Sequence, residues 1–128
     1  MAAPPTGYVL VGYEDRMDLA DAASDRLVCR AGSSTLAEVA AVGKASVLIP
    51  SPNVTENHQE ENARGLEAVG AAEVIVEQGW SLDHAVGRVN ALIADLPKLV
   101  TMGQAARGLA RPNAATDAAD AVESTLRA

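Results

Sequence analysis

The sequence predicts an α/β domain in which a parallel sheet is flanked by helices and followed by a helical tail. Short apolar runs alternate with helical segments as far as Gly79. Beyond Gly79 only the 3.6-residue periodicity of helices remains. Strands that alternate with helices form parallel sheets through right-handed crossovers. Together these observations predict half of a doubly wound, Rossmann-like sheet.

Four apolar runs are the predicted strands, and helices separate them. The strands are predicted at 8–11, 27–29, 46–49 and 73–76. Helices are predicted at 15–24, 35–42 and 57–69, the last two stopped by Gly43 and Gly70. Tail helices are predicted at 82–93, at 97–107, and from Pro112 or Asn113 to the C-terminus. No repeat or linker divides the chain, so we expect one domain over residues 1–128.

Composition and charge narrow the function classes. Apolar residues make up 48% of the 128 residues, which is enough for a core of Ala, Val and Leu. The formal net charge of −7 argues against nucleic acid, because phosphate contacts need a basic surface. The single cysteine, Cys29, excludes an internal disulfide and fits a reducing compartment. No signal peptide and no apolar run of roughly 20 residues is present, so we expect a cytoplasmic domain without membrane insertion.

The first candidate site is the loop between the second predicted strand and its helix. Gly32 is expected to let the backbone turn tightly and a ligand approach closely. Ser33, Ser34 and Thr35 place hydroxyls and free N–H groups at a helix N-terminus, which suits a diphosphate. Glu38 follows in what the pattern predicts to be the first helical turn, where its carboxylate can accept hydrogen bonds from both ribose hydroxyls.

Structural explanations compete with ligand binding in this loop. Thr35 and Glu38 have the spacing of a capping box, with threonine as N-cap and glutamate at N3. That local arrangement would account for both residues without a ligand. Arg30 is either a surface residue or a phosphate contact. Cys29 is expected to be a small, buried side chain rather than a nucleophile.

The second candidate site, 51–62, follows the third predicted strand. Asn57 and Glu60 again have capping-box spacing. His58 and Gln59 are then expected to point from the first turn toward the crevice between the two loops, although a solvated helix start would explain them as well. A metal site is not expected, because His58 and His84 are far apart and no Cys/His cluster exists. No self-contained catalytic constellation is present, and we expect no cofactor.

Both loops resemble the C-terminal domain of glycosyltransferase family 28. The resemblance is carried by Cys-Arg-Ala-Gly-Ser-Ser-Thr-Leu-Ala-Glu (29–38) and by Val-Leu-Ile-Pro-Ser-Pro-Asn-Val-Thr-Glu-Asn-His-Gln-Glu-Glu-Asn-Ala (47–63). It implies the GT-B fold, in which two Rossmann-like domains face a cleft. Within the family, the resemblance implies the inverting hexosyltransferases that transfer N-acetylglucosamine from UDP-GlcNAc to lipid I. The product is lipid II, made for peptidoglycan on the cytoplasmic face of the bacterial membrane.

The resemblance also implies roles for single residues. Glu38 matches the glutamate that binds the ribose hydroxyls of UDP, and Gly32–Thr35 match the turn beside the diphosphate. His58 and Gln59 match a polar pair near the donor sugar and phosphates, and Asn62 belongs to the same motif. By the same resemblance, Glu14 lies where the backbone of family members contacts the uracil ring.

Relative to that family, the chain lacks an N-terminal acceptor domain and the first strand, loop and helix of the donor domain. We therefore expect a truncated C-terminal UDP-sugar-binding domain, or one half of a split enzyme, that is inactive alone. Its expected partners are UDP-GlcNAc or UDP and the missing domain, in cis or in trans. The parent enzyme would be peripheral on the cytoplasmic face of the inner membrane.

Two other hypotheses remain open from the residues. One is a family 28 transferase with a different lipid acceptor. The other is a stand-alone domain that binds nucleotide weakly or serves as an interaction module. Without its first strand such a domain would expose an unpaired sheet edge, through which it could dimerise.

Overall fold

The structure is a computed structural model, and it describes residues 6–53 and 58–128. Within these ranges it contains six helices and three strands. The strands are β1 (Arg26–Cys29), β2 (Ala45–Leu48) and β3 (Ala72–Val74). The helices are α1 (Met17–Ala23), α2 (Ser33–Val42), α3 (His58–Ala68), α4 (Leu82–Ala94), α5 (Leu96–Gly108) and α6 (Ala114–Arg127).

The three strands form one parallel sheet in the order β1-β2-β3. In the register, Cys29 aligns with Leu48, and Leu48 aligns with Val74. All three strands therefore end at the same edge of the sheet, with the α2 and α3 crossovers starting from the loops there. The predicted α/β class with a parallel sheet, flanking helices and a helical tail is confirmed.

Helices pack on both faces of the sheet, and β2 is buried along its whole length between them. Alternation sends Ala45 and Val47 to one face, and Ser46 and Leu48 to the other. On the first face the core is completed by the residue after β3 and by side chains of α4 and α5: Ile75, Ala85, Leu92, Leu99 and Met102. On the second face it is completed by the loop after β1 and by α2, α3 and β3: Ala31, Leu36, Ala63, Ala72 and Val74.

The turn between α2 and β2 fixes how closely α5 approaches the sheet. Gly43 ends α2 in the left-handed conformation, with φ of 65°, as the sequence predicted. A Cβ added to Gly103 of α5 would lie 2.6 Å from the Gly43 carbonyl oxygen. Because that distance is shorter than van der Waals contact, only glycine allows α5 to lie this close to the turn.

The predicted first strand, 8–11, is wrong. Tyr8–Val11 has no strand assignment, and its four side chains are 55–83% exposed. Apolar residues form a strand only where they meet a neighbouring strand and a surface to pack against. No described strand lies beside this segment. The sheet therefore has three strands rather than four, joined by two crossovers rather than three.

The two outer edges of the sheet differ. At the β3 edge, the Glu67 carboxylate accepts from the Val74 N–H at 3.0 Å, and Arg88 donates to the Val74 carbonyl at 3.0 Å. At the β1 edge, the Cys29 carbonyl accepts a hydrogen bond from the Ile49 N–H of the neighbouring chain segment. Because backbone groups of successive residues in a strand point to opposite sides, the N–H and the carbonyl of Val28 point away from the sheet. No side chain in the described ranges hydrogen-bonds to the N–H or the carbonyl of Val28, and Val28 is 51% exposed.

The tail helices are confirmed within a few residues of their predicted ends. The last of them, α6, buries none of its residues, and its apolar side chains Val122 and Leu126 are exposed. Across 6–53 and 58–128, no helix is long and apolar enough to cross a membrane.

Candidate functional site

The two predicted loops lie side by side at the carboxyl edge of the sheet, and Gln59 joins them. Its Oε1 atom accepts hydrogen bonds from the Ser51 N–H at 2.9 Å and from the Ala31 N–H at 3.3 Å. One N–H belongs to the loop after β2 and the other to the loop after β1. The crevice predicted between the loops is therefore held together by a side chain from the first turn of α3.

The N-terminus of α2 faces this crevice, and no side chain of the described residues caps it. The helix begins at Ser33, its N-cap is Gly32, and the first intrahelical bond runs from the Leu36 N–H to the Gly32 carbonyl at 3.0 Å. The N–H groups of Ser33, Ser34 and Thr35 therefore precede the helical ladder. The capping-box interpretation of Thr35 and Glu38 is wrong, because Thr35 is the third helical residue rather than the N-cap. These donors are thus available to an anion.

Gly32 is not needed for the shape of its turn. Its φ of −66° and ψ of 146° are extended angles that any residue adopts. A Cβ there would meet Gln59 Nε2 and Thr35 Oγ1 no closer than 3.9 Å. The expected tight turn is thus incorrect. What the missing side chain provides is open space in front of the helix N-terminus.

Glu38 lies in the second turn of α2 rather than the first, as its sixth residue. It is exposed, so its carboxylate is open to a ligand. Its negative charge acts on the thiol of Cys29 at the end of β1. Burial, followed by the negative charges of Asp21 and Glu38, raises the pKa of the Cys29 thiol to about 11. Cys29 is therefore an uncharged thiol near neutral pH, which suits a structural side chain and not a nucleophile.

Arg30 ties the ends of all three strands together. Its Nη1 donates to the carbonyl oxygens of Ile49 at 3.2 Å and Pro50 at 3.3 Å. Its Nη2 lies 2.6 Å from Oε1 of Glu77, a residue that follows β3. The sequence left Arg30 open as a surface residue or a phosphate contact; in the structure its guanidinium braces the loop after β2. No signal in the sequence pointed to Glu77, because the contact depends on the sheet order.

The remaining predicted residues lie around this centre. His58 is the exposed first residue of α3, and Asn62 is exposed on the same helix. Asn57, the predicted N-cap, lies outside the described residues. Glu14 is exposed in the loop before α1, where its carboxylate accepts from the Arg16 N–H at 2.8 Å. No hydrogen bond or ion pair of the described residues joins Glu14 to either crevice loop.

Glu77 lines two cavities at the carboxyl edge of the sheet. One, of about 200 Å³, lies between Glu77 and the loop that starts at Pro50. The other, of about 390 Å³, lies between Arg30, Trp80 and the exposed side of β1. A larger groove of about 590 Å³ lies at the opposite edge, beside Lys44 and Arg107. We place the candidate site at the carboxyl edge, since the uncapped helix N-terminus and both polar loops meet there.

Metal chemistry has no candidate centre in the described part of the chain. No three His, Cys, Asp or Glu side chains lie together there in a way that could hold a metal ion. What this edge of the sheet offers is backbone N–H donors, hydroxyls and one open carboxylate. Such a set can bind a phosphate ester and a diol.

Comparison with known proteins decides the family. A profile of the glycosyltransferase family 28 C-terminal domain matches residues 4–123. The chain belongs to glycosyltransferase family 28. The match covers β1 to α5 and most of α6, so both loops of the candidate site lie inside the family 28 domain.

Comparisons with individual family 28 proteins support the same family assignment. The chain is 47% identical over 110 residues to the UDP-N-acetylglucosamine–N-acetylmuramyl-(pentapeptide) pyrophosphoryl-undecaprenol N-acetylglucosamine transferase of Oenococcus oeni, covering 86% of this chain and 30% of that protein. It is 42% identical over 116 residues to the same transferase of Prosthecochloris aestuarii, covering 90% of this chain and 32% of that protein. The crystal structure of Acinetobacter baumannii MurG superposes on this chain with a TM-score of 0.82 at 29% sequence identity. The superposition covers 89% of this chain and 33% of the MurG chain. The chain thus spans about a third of the length of these relatives.

Proposed function

We propose that this chain is the donor-binding half of a transferase that adds N-acetylglucosamine from UDP-GlcNAc to lipid I, forming lipid II. The observation that carries the proposal is the uncapped N-terminus of α2, which opens on the crevice bridged by Gln59. The names of the relatives supply the donor and the acceptor chemistry.

In this proposal the donor lies along the carboxyl edge of the sheet. The N–H groups and hydroxyls of Ser33, Ser34 and Thr35 hold the diphosphate, and Glu38 accepts hydrogen bonds from the ribose hydroxyls. His58, Gln59 and Asn62 lie toward the sugar. The backbone at Glu14 contacts the uracil ring.

The contribution of these groups to catalysis is electrostatic. An acceptor hydroxyl attacks the anomeric carbon from the face opposite UDP, so the configuration inverts and negative charge grows on the departing diphosphate. Donors fixed at a helix N-terminus stabilise that charge without reorganising. The acceptor and the base come from the acceptor-binding domain of the enzyme, in cis or in trans. This domain then supplies donor binding, in the cytoplasm at the inner face of the membrane.

The proposal is tested by calorimetric titration of the chain with UDP-GlcNAc. We expect weak binding by the wild type and none by Glu38→Ala, since the ribose loses its carboxylate partner. Glu123→Ala is the control, because Glu123 lies on the exposed helix α6, where it pairs with Arg127. Equal binding by wild type and Glu38→Ala would remove Glu38 from the site. No binding by the folded wild type would remove the proposed function from this chain.

Self-association is a second candidate role, favoured by the uncapped β1 edge at Val28. Two copies could pair there as antiparallel strands. A pairing centred on Val28 would place Arg26 of each copy opposite Arg30 of the other, and like charges oppose that arrangement. Sedimentation tests the role: a concentration-dependent dimer that Val28→Lys abolishes supports it, and a monomer at every concentration excludes it.

A further inference from the structure

We infer that Glu77 is a positioning residue of the nucleotide site, and that it acts through the guanidinium of Arg30. The inference rests on the proposed function of that site. Glu77 follows β3 and is separated from the two crevice loops in sequence. In the structure it forms the shared wall of both cavities at the carboxyl edge of the sheet.

The contact geometry distinguishes this ion pair from an ordinary surface pair. The side chain of Glu77 is 27% exposed, and its Oε1 lies 2.6 Å from Nη2 of Arg30. The other end of the same guanidinium donates to the carbonyls of Ile49 and Pro50. A planar guanidinium with acceptors on two sides is fixed in orientation as well as in place.

Without Glu77 the Arg30 guanidinium would lose its anionic partner. The Arg30 side chain is 53% exposed, so it can turn into water when only two carbonyl bonds of more than 3 Å hold it. Among the described contacts, the hydrogen bonds of Gln59 would then remain to hold Ser51 and Ala31 together. Glu77 therefore supports the crevice through Arg30, in addition to the bridge from Gln59.

The expected consequence is a loss of affinity with little loss of stability. A half-exposed ion pair contributes little to folding, so the melting temperature of Glu77→Gln should stay within roughly 4 °C of the wild type. Fixing the Arg30 guanidinium against Ile49 and Pro50 only when the ligand binds should weaken UDP affinity roughly two- to tenfold.

The test is a double-mutant cycle on UDP affinity, measured by calorimetry on the whole chain. The variants are Glu77→Gln, Arg30→Gln and the double variant, with Glu123→Gln as a control that removes a distant ion-paired carboxylate. If Glu77 acts through Arg30, the double variant binds UDP no more weakly than Arg30→Gln alone. Glu77→Asp keeps the charge with a shorter reach, and it should lose less affinity than Glu77→Gln.

Each outcome decides the inference. Wild-type affinity in Glu77→Gln, or additive losses in the double variant, overturns the role of Glu77 and leaves the proposed function standing. A loss as large in Glu123→Gln as in Glu77→Gln also overturns it, because the effect would then follow net charge. Absence of UDP binding by the wild type removes the proposed function, and the inference with it.

Discussion

Oε1 of Gln59 lies 2.9 Å from the backbone nitrogen of Ser51, and the same oxygen accepts from the Ala31 N–H at 3.3 Å. Ser51 follows β2 and Ala31 follows β1, so one amide oxygen satisfies a donor from each crevice loop. Ala31 is fully buried, where an unpaired N–H is costly. Gln59 thereby shapes the crevice, whatever contacts its amide nitrogen makes with a ligand.

Gln59→Ala should therefore lower both stability and UDP affinity. Two part-buried N–H groups lose their acceptor, and the free energy of unfolding should fall by about 1–2 kcal/mol. Urea denaturation measures that change, and hydrogen exchange at the Ala31 and Ser51 amides should become faster in the variant.

Gln59→Glu separates the two roles of the side chain. Glutamate keeps an acceptor oxygen at the same reach, so stability and amide protection should stay near those of the wild type. Its negative charge beside the proposed diphosphate should still weaken UDP binding. Equal stability losses in the alanine and glutamate variants would mean that the bridge contributes nothing to folding.

Glu73 joins β3 to the two helices packed on its face. Its Oε2 accepts from Arg88 of α4 at 2.8 Å, and its Oε1 accepts from Lys98 of α5. Burial alone would raise the pKa of Glu73, but the hydrogen bonds and charges of Lys98 and Arg88 outweigh it and lower the pKa below its usual 4.5. The folded protein thus binds this proton less readily than the unfolded chain.

That pKa gives the stability contributed by Glu73 a defined pH dependence. A lowered folded pKa stabilises the protein above the unfolded pKa, and the contribution is lost as the pH falls through the folded value. The difference in unfolding free energy between wild type and Glu73→Gln should be largest at neutral pH and shrink below about pH 4.5. Urea titrations across this range measure it. A difference independent of pH would contradict the ion pairs.

Ser46 lies at the centre of the sheet and is fully buried. Its hydroxyl has no hydrogen-bond partner among the described residues. Because a buried, unpaired hydroxyl opposes folding, Ser46→Ala should raise the free energy of unfolding by about 1 kcal/mol.

Thermal denaturation compares Ser46→Ala with Ser124→Ala. Ser124 lies on exposed α6 and bonds the Asp120 carbonyl of its own helix, so its removal should change stability by less than about 0.5 kcal/mol. Destabilisation by Ser46→Ala would show that its hydroxyl is satisfied in solution.

The elements predicted from the sequence are those fixed by local pattern. Gly43 was predicted to end α2 because a helix followed by glycine is a local signal, and it does so with a positive φ. The buried run that became β2 was predicted from its own apolar residues. Tyr8–Val11 carries a similar apolar signal and forms no strand, since a strand also needs a neighbour that no local pattern reveals.

For the candidate site too, local sequence patterns predicted some features, and the fold determined the others. The polar loops and the donors at Ser33–Thr35 were visible in the sequence, although the start of α2 was misplaced by two residues. The bridge from Gln59 and the contact between Arg30 and Glu77 depend on which strands are neighbours and where they end. Sequence spacing carries no information about either contact, so both emerged only from the fold.

Amide chemical-shift mapping during a UDP titration shows whether nucleotide binds at the carboxyl edge of the sheet. We expect the largest shifts on Ser33, Ser34, Thr35 and Ser51, as binding at this edge requires. Shifts concentrated instead around Lys44 and Gln104, which line the larger groove at the opposite edge, would contradict it.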